Sequence, residues 1–185
     1  MWAWLAVLRA HCEEIGLQWA CSSYLPEDVE TVAQYTNTLK IASFEANDPV
    51  HLAAHVAPVK AGKHLIISCG LGASRQMITE YLTRRVVCDD KAANIKTLWC
   101  VSAYPAPMDQ LSLWRIRGDY SGGMYHGFSD HSSSEVTVTG AFAVAAGARI
   151  IERHIRWDHT SLRNPDFPHS MRPVDFEEYV HGIRT

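Results

Sequence analysis

The sequence has no stripe or run of basic residues, no CxxC pair and no hydrophobic run long enough to span a membrane. Its 17 Lys and Arg stand against 20 Asp and Glu, so the electrostatic signature of a nucleic-acid-binding protein is absent. The five cysteines are odd in number, which argues against a disulfide framework and for reduced, buried thiols in a cytoplasmic protein. The apolar segment at residues 1–8 is too short for a transmembrane helix and lacks the flanks of a secretion signal. We therefore expect small-molecule chemistry, with no nucleic-acid or membrane partner.

A Gly-rich dinucleotide-binding turn is also missing, although apolar strand-like runs alternate with helical stretches along the chain. This alternation predicts an α/β fold with a parallel sheet. The predicted strands are residues 18–22, 38–43, 64–69, 97–101, 124–129 and 148–154. The predicted helices are residues 2–15, 26–35, a helix opened by Asp48 and Pro49, and residues 74–86, 109–117, 133–147 and 174–183. The long polar loop at 157–172 is typical of a segment that covers a site.

The spacing of the strands, about 20 to 33 residues from one to the next, favours a (β/α)8 TIM-barrel type over a doubly wound sheet. Only six βα units are visible in the 185 residues, whereas a full barrel typically needs about 250. We therefore expect residues 1–185 to form a single partial TIM-barrel domain. Either two units are missing before the first strand, or the barrel is an open variant.

Two histidines close apolar runs in the same way, one strand-plus-helix repeat apart: GFSDH at 127–131 and IIERH at 150–154. This spacing predicts that His131 and His154 lie side by side at one rim of the sheet, where they could hold a divalent metal with open coordination positions. The alternative is that each imidazole hydrogen-bonds a neighbour. Ser129 shares the strand face of His131, whereas Asp130 points to the opposite face and is expected to be structural.

Other histidine and serine patterns do not predict a site. His51 and His55 have the i, i+4 spacing of metal ligands on a helix, but no glutamate follows His51 as a zinc protease requires. We expect both on a solvated helix face. The adjacent Ser129, Asp130 and His131 cannot form a hydrolase relay, because neighbouring strand residues diverge.

Four segments in order resemble the sialic acid (N-acetylneuraminate) synthases and their legionaminic, pseudaminic and spore-coat relatives. They are LKIASFE at 39–45, CVSAYPAP at 100–107, FSDHS at 128–132 and IERH at 151–154. The resemblance covers essentially the whole chain. It implies a (β/α)8 barrel that condenses phosphoenolpyruvate with an N-acetylated amino sugar to give a 2-keto sugar acid. It also implies a bound divalent cation, most often Mn²⁺, with Mg²⁺ or Co²⁺ as alternatives.

The resemblance assigns roles to individual positions. It implies that His131 and His154 are the metal ligands and that Glu45 lies beside the reacting carbons, where it could stabilise a cation or take a proton from the attacking water. Lys40 would meet the phosphate of phosphoenolpyruvate. The serines that would contact the same substrate are Ser22, Ser43, Ser102 and Ser129. Tyr104 and Asp166 would face the amino sugar, with Asp166 one residue further from His154 than the family pattern has it.

The chain also departs from the family pattern. The family's first two strands bring a glutamate, a second phosphate-binding lysine and a glutamine, and its antifreeze-like domain brings an arginine from the partner subunit; none has a counterpart here. Phe44 replaces a glycine. We therefore expect a homo-oligomer or a partner that supplies the missing barrel units. Two alternatives stay open: a truncated, non-catalytic barrel with a binding or assembly role, and a Schiff-base aldolase that uses Lys40.

Overall fold

Parallel strands alternate with helices throughout residues 2–86, 93–117 and 125–185, the part of the chain that the computed structural model describes. The chain divides into two compact units, Met1–Ile67 with Gly72–Lys96 and Ser68–Leu71 with Thr97–Thr185. Within each unit every described strand pairing is parallel. The expectation of a single domain over 1–185 stays a prediction. In the described ranges, no helix is both long enough and apolar enough to cross a membrane.

The first unit is built on three strands in chain order. Strand β1 pairs with β2 and β2 pairs with β3, with Ser22 opposite Lys40 and Lys40 opposite Ile66. The strands are β1 Ala20–Ser22, β2 Thr38–Ile41 and β3 His64–Cys69, and the last two residues of β3 belong to the second unit. The helices are α1 Ala3–Glu14, α2 Val29–Tyr35, α3 Pro49–Ala54, α4 Val56–Lys60 and α5 Arg75–Val86.

The core of the first unit follows from the apolar residues of β2 and β3. Leu39, Ile41, Leu65 and Ile67 are fully buried, as expected for parallel strands covered on both faces. The Asp48 carboxylate caps α3 by accepting a hydrogen bond from the Val50 amide at 2.8 Å. The predicted helix start at Asp48 and Pro49 is therefore confirmed.

The second unit repeats this arrangement with β4 Ile95–Cys100, whose first two residues belong to the first unit, β5 Gly127–Asp130 and β6 Ile150–Arg153. Its helices are α6 Thr139–Ala145 and α7 Pro173–Arg184. Strand β5 lies between the other two, and Ser129 is opposite both Cys100 and Glu152. Phe128, Leu111 and Ala143 belong to its buried core.

Several predicted elements differ in their bounds from the observed ones. Strand β3 has the predicted bounds, whereas the strand predicted at 124–129 runs from Gly127 to Asp130, and Met124 lies outside the described residues. The helix predicted at 109–117 is wrong. Two short 3-10 turns occur there, Met108–Gln110 and Leu113–Arg115, because Ser112 between them has a φ of 48°. A left-handed residue stops a right-handed helix from continuing.

The expectation that His51 and His55 face solvent is also wrong, because both side chains are fully buried. Helix α3 packs against the 3-10 turns Pro26–Asp28 and Glu45–Asn47, so it has no open face at these positions. His55 Nδ1 donates to the His51 carbonyl at 2.8 Å, and His55 Nε2 lies 3.3 Å from Ser23 Oγ. With Nδ1 protonated, Nε2 accepts from the hydroxyl, so the neutral ring has both nitrogens satisfied.

Burial of His55 makes the folded protein sensitive to acid. It lowers the pKa of the imidazole from 6.5 to about 4. Between these two pH values His55 is protonated in the unfolded chain but neutral in the folded chain. The stabilisation is therefore complete above pH 6.5 and is lost as the pH drops toward 4. We expect His55 to account for a loss of about 3 kcal/mol over this window.

Urea unfolding at several pH values, with the His55→Asn variant beside the wild type, checks this loss. Asparagine keeps a donor for the His51 carbonyl but does not titrate. The variant should show a shallower fall in stability with acid. It should keep part of the slope, because burial also lowers the pKa of His131 to about 4. Equal slopes in the two proteins would contradict the prediction.

Gly127 allows β5 and β6 to approach each other. A Cβ atom built on it would lie 2.0 Å from the Ile150 carbonyl oxygen, which is backbone and cannot rotate away. Gly127→Ala is therefore expected to lower the free energy of unfolding by about 1–3 kcal/mol. Gly182→Ala is the matched control, because a Cβ there meets nothing within 4 Å and alanine favours the helix. Thermal unfolding of both variants tests the prediction, and equal melting temperatures would contradict it.

Candidate active site

The ends of β5 and β6 bring two imidazoles together in the second unit. His131 follows β5 and His154 follows β6, and their preceding residues Asp130 and Arg153 are register partners. The ring centroids lie 5.3 Å apart with an interplanar angle of 63°. The predicted side-by-side placement is therefore confirmed. That His131 and His154 bind a metal stays a prediction.

Two polar contacts set the orientation of the His131 ring. Its Nδ1 lies 3.3 Å from the Val101 carbonyl oxygen, and its Nε2 lies 3.3 Å from Ser129 Oγ. When Nδ1–H donates to the carbonyl, Nε2 keeps a lone pair that can accept from the serine or bind a cation. Burial, and secondarily the neighbouring His154, lowers the pKa of His131 to about 4. The ring is therefore neutral near pH 7, the form in which imidazole binds metals.

A third histidine that the sequence analysis missed completes this cluster. His169 ends the 3-10 turn Phe167–His169, within the loop predicted to cover a site. Its ring centroid lies 4.8 Å from that of His154 and 6.0 Å from that of His131. Its side chain is buried, and neither ring nitrogen has a hydrogen-bond partner in the described part of the chain. The sequence signal that could have found it is the spacing of Asp166 and His169, three residues apart in a loop predicted to cover a site.

Asp166 lies between two of these rings. Its Oδ2 is 3.7 Å from His154 Nδ1, and its Oδ1 is 3.6 Å from His169 Nε2. One ligand atom from each of His154, Asp166 and His169 can be chosen so that all lie within 4.8 Å of one another. Such a set of imidazoles and a carboxylate suits a divalent transition metal.

Tyr104 forms an aromatic wall of the same cluster. Its ring centroid lies 4.4 Å from that of His131 and 5.2 Å from that of His169. Ser102, two residues earlier, accepts a hydrogen bond from the Leu71 amide at 2.8 Å. Its hydroxyl therefore helps to hold Leu71, whose φ is 49°. The hydroxyl proton of Ser102 is not used by this bond.

Two polar residues at strand positions form a further pair. Glu152 accepts a hydrogen bond from Ser68 at 3.1 Å, and it lies opposite Ser129 in the register of β5 and β6. Glu152 therefore shares the strand face of Ser129 and His131. Glu152 was not among the predicted site residues, although the alternation along its strand places it on the same face as Ser129 and His131.

Asp130 lies on the opposite strand face, as predicted, and is fully buried. Its carboxylate is 3.0 Å from Arg153 Nη1 and accepts hydrogen bonds from the Ser132 amide at 2.9 Å and the Tyr179 hydroxyl at 2.7 Å. Thr139 donates a further hydrogen bond to it. Asp130 thus joins β5 and β6 to α6 and α7, and its role is structural.

Four predicted residues belong to the first unit and lie at the carboxyl ends of its strands. Ser22 is the last residue of β1 and lies opposite Lys40, which is buried. Ser43, two residues after the end of β2, is also buried. Glu45 opens the 3-10 turn Glu45–Asn47, and its Oε2 atom is buried without a hydrogen-bond partner among the described residues. The carboxyl ends of barrel strands are where TIM-barrel enzymes place substrates.

Comparisons with known proteins identify the family of the chain and its relatives. The NeuB family model matches residues 1–185. The pseudaminic acid synthase of Campylobacter jejuni is 29% identical over 98% of this chain and 51% of its own length. The N,N'-diacetyllegionaminic acid synthase of the same species is 30% identical over 96% of this chain and 53% of its own length. The chain thus spans about half the length of the curated relatives it matches.

A solved structure shows the same fold. The N-acetylneuraminic acid (sialic acid) synthetase from Leptospira borgpetersenii, crystallised with citrate, superposes with a TM-score of 0.82 at 24% identity. The match covers 98% of this chain and 60% of that one. The predicted α/β fold of the TIM-barrel type is therefore confirmed.

Proposed function

Since the chain belongs to the NeuB family, we propose that it condenses phosphoenolpyruvate with an N-acetylated amino sugar to give a sialic-acid-like 2-keto sugar acid. The names of its relatives support this class of product, because both Campylobacter proteins are synthases of such sugar acids. The observation that carries the proposal is the pair of imidazoles of His131 and His154 at the ends of neighbouring strands, 5.3 Å apart between ring centroids.

We propose that His131 and His154 hold a divalent cation, with Mn²⁺ as the first choice and Mg²⁺ or Co²⁺ as alternatives. The residues fit this group, because His131 is neutral and keeps Nε2 available while Nδ1 binds the Val101 carbonyl. A cation bound there would polarise the aldehyde oxygen of the sugar as a Lewis acid. Tyr104 packs against His131 and would limit the access of water to this side of the ring.

The remaining residues would bind and orient the two substrates. In the first unit, we propose that the ammonium group of Lys40 binds the phosphate of phosphoenolpyruvate. The hydroxyl groups of Ser22 and Ser43 would donate hydrogen bonds to the same substrate. Glu45 would take the proton of the water that adds to the enolpyruvate carbon. Its Oε2 atom, which is buried without a hydrogen-bond partner among the described residues, supports this assignment.

In the second unit, the hydroxyls of Ser102 and Ser129 would donate to the enolpyruvate, and Tyr104 and Asp166 would face the amino sugar. The reaction forms a bond between the enolpyruvate methylene and the aldehyde carbon. Water then adds to the resulting cationic carbon and phosphate leaves. The exposure of the Asp166 carboxylate, 57%, supports a contact with an incoming sugar.

A phosphate-release assay with phosphoenolpyruvate, Mn²⁺ and a panel of acetamido sugars tests the proposed function. It should be run on this chain and on any longer product of the same gene. We expect phosphate release that requires both the sugar and the cation, together with a 2-keto acid product of the summed carbon skeleton by mass spectrometry. Absence of release with every sugar, in protein that binds the cation, would contradict the proposal.

Two controls separate the alternatives. Isothermal titration that shows neither metal nor phosphoenolpyruvate binding would favour a non-catalytic barrel with an assembly role. A borohydride-trapped adduct on Lys40 that survives chelation would favour a Schiff-base aldolase. The expected homo-oligomer, or a partner that supplies further barrel units, stays a prediction that sedimentation velocity can test.

A further inference from the structure

His169 has the burial and the polar environment of a metal ligand. Its side chain is 2% exposed, and among the described residues neither of its ring nitrogens has a hydrogen-bond partner. Burying such polar atoms without a partner costs free energy, which a bound cation would recover. The other buried ring of the cluster, His131, has the Val101 carbonyl and Ser129 hydroxyl as partners.

An unpartnered ring does not by itself make a site, as His51 in the first unit shows. Both nitrogens of His51 also lack partners in the described part of the chain. However, its neighbour His55 uses Nδ1 on a carbonyl and Nε2 on Ser23. In the described ranges, the only group of three ligand residues within 4.8 Å is that of His154, Asp166 and His169.

Two distances in this group, between the carboxylate and each ring, are close to those of atoms that share an ion. The Asp166 oxygens lie 3.7 Å from His154 Nδ1 and 3.6 Å from His169 Nε2, which is too long for hydrogen bonds. Two ligand atoms bound to one cation at about 2.0–2.2 Å are roughly 3 to 4 Å apart. The carboxylate–ring separations therefore suit a cation, whereas the three ligand atoms together, which lie within 4.8 Å of one another, would have to move slightly closer to share it.

We propose that His169 is a third imidazole ligand of the cation in this chain, beside His154 and with a carboxylate oxygen of Asp166. The inference rests on the proposed function in that it extends the same cation site. The amino-sugar contact proposed for Asp166 would then use its second oxygen. A third imidazole would bind the cation more tightly than a histidine pair does, and because imidazole sites have a higher affinity for Co²⁺ than for Mn²⁺, Co²⁺ is a suitable probe of this site whichever ion works in catalysis.

Titration of the metal-free chain with Co²⁺, followed by visible absorption and by chelator competition, tests the inference without an activity assay. We expect one Co²⁺ per chain, and a loss of affinity of more than about tenfold in His169→Ala and in Asp166→Asn. The threshold is conservative, since loss of an outer-shell partner already costs about 10- to 100-fold in affinity. His159→Ala is the matched control, because His159 is exposed in the same loop.

Thermal unfolding separates ligand loss from misfolding. In the presence of a chelator, His169→Leu should melt no lower than the wild type, because leucine removes two buried nitrogens that have no hydrogen-bond partner in the described part of the chain. Added Co²⁺ should raise the melting temperature of the wild type but not of this variant. A His169→Leu protein that is destabilised without metal yet still gains stability from Co²⁺ would overturn the proposal.

The pattern among the variants distinguishes this inference from the proposed function. If His131→Ala and His154→Ala lose Co²⁺ while His169→Ala stays within about tenfold of the wild type, the third ligand is overturned and the histidine pair stands. If His154→Ala and His169→Ala lose Co²⁺ but His131→Ala does not, the third ligand is supported and the pair fails. A wild-type chain that binds no Co²⁺ overturns both.

Discussion

Replacing Asp130 by alanine is expected to lower the free energy of unfolding by about 3–5 kcal/mol, because it leaves the buried Arg153 guanidinium without its counter-charge. Both side chains are buried, with 0% exposure for Asp130 and 1% for Arg153, and Arg153 Nη1 lies 3.0 Å from Asp130 Oδ1. Tyr179 and Thr139 would also lose their acceptor. Urea unfolding monitored by tryptophan fluorescence measures the effect.

The matched control is the ion pair between Arg172 and Asp175 at the start of α7. It has two short contacts, 2.8 and 2.9 Å, but the arginine side chain is 51% exposed. Solvent screens such a pair, so Asp175→Ala should destabilise the protein by only a small fraction of the Asp130 effect. Equal losses in the two variants would contradict the argument that burial sets the cost.

The same network orients the candidate site. Asp130 immediately precedes His131, and Arg153 immediately precedes His154. Arg153 also donates to the Ser132 and Ser133 carbonyl oxygens, at 3.0 and 2.7 Å, so it ties the end of β6 to the segment that follows β5. The ion pair between Asp130 and Arg153, on one face of the strands, therefore helps to set the spacing of His131 and His154, whose parity places them on the opposite face.

The strand periodicity could be predicted from the sequence because it depends on local chemistry. Alternation along residues 129–131 placed Ser129 and His131 on one face and Asp130 on the other, and the structure confirms this with the 3.3 Å approach of Ser129 to His131. Continuous apolar runs predicted β3 with its observed bounds. In each of these cases a short segment carries the whole signal.

The sequence-based predictions failed where contacts between residues far apart in the sequence override the local residue pattern. His51 and His55 occur in an alanine-rich helix that resembles a solvated one, yet packing of that helix against two 3-10 turns buries both rings. His169 was missed because nothing in its own segment shows that the covering loop returns to His154. Its position depends on a backbone connection in which the Met171 amide donates to the His154 carbonyl at 2.9 Å.

The largest loss of activity is expected from His131→Ala and His154→Ala, which should each reduce cation-dependent phosphate release by about a thousandfold or more. Removing either imidazole takes a ligand from the proposed centre, and the Lewis-acid stabilisation of developing charge is worth several kcal/mol. The assay uses phosphoenolpyruvate, Mn²⁺ and the amino sugar that the wild-type protein accepts. Activity within tenfold of the wild type in either variant would overturn the assignment.

The expected loss must be separated from a loss of structure. The side chain of His154 is 35% exposed and makes no hydrogen bond to the described residues, and its backbone bond to Met171 survives the substitution, so His154→Ala should keep its melting temperature. His131→Ala loses the contact to the Val101 carbonyl and should melt somewhat lower while remaining folded at the assay temperature. His159→Ala, a substitution of an exposed histidine in the loop after His154, should retain full activity. A centre that depends on the two strand ends requires both imidazoles, so the two site variants should be equally inactive although their stabilities differ.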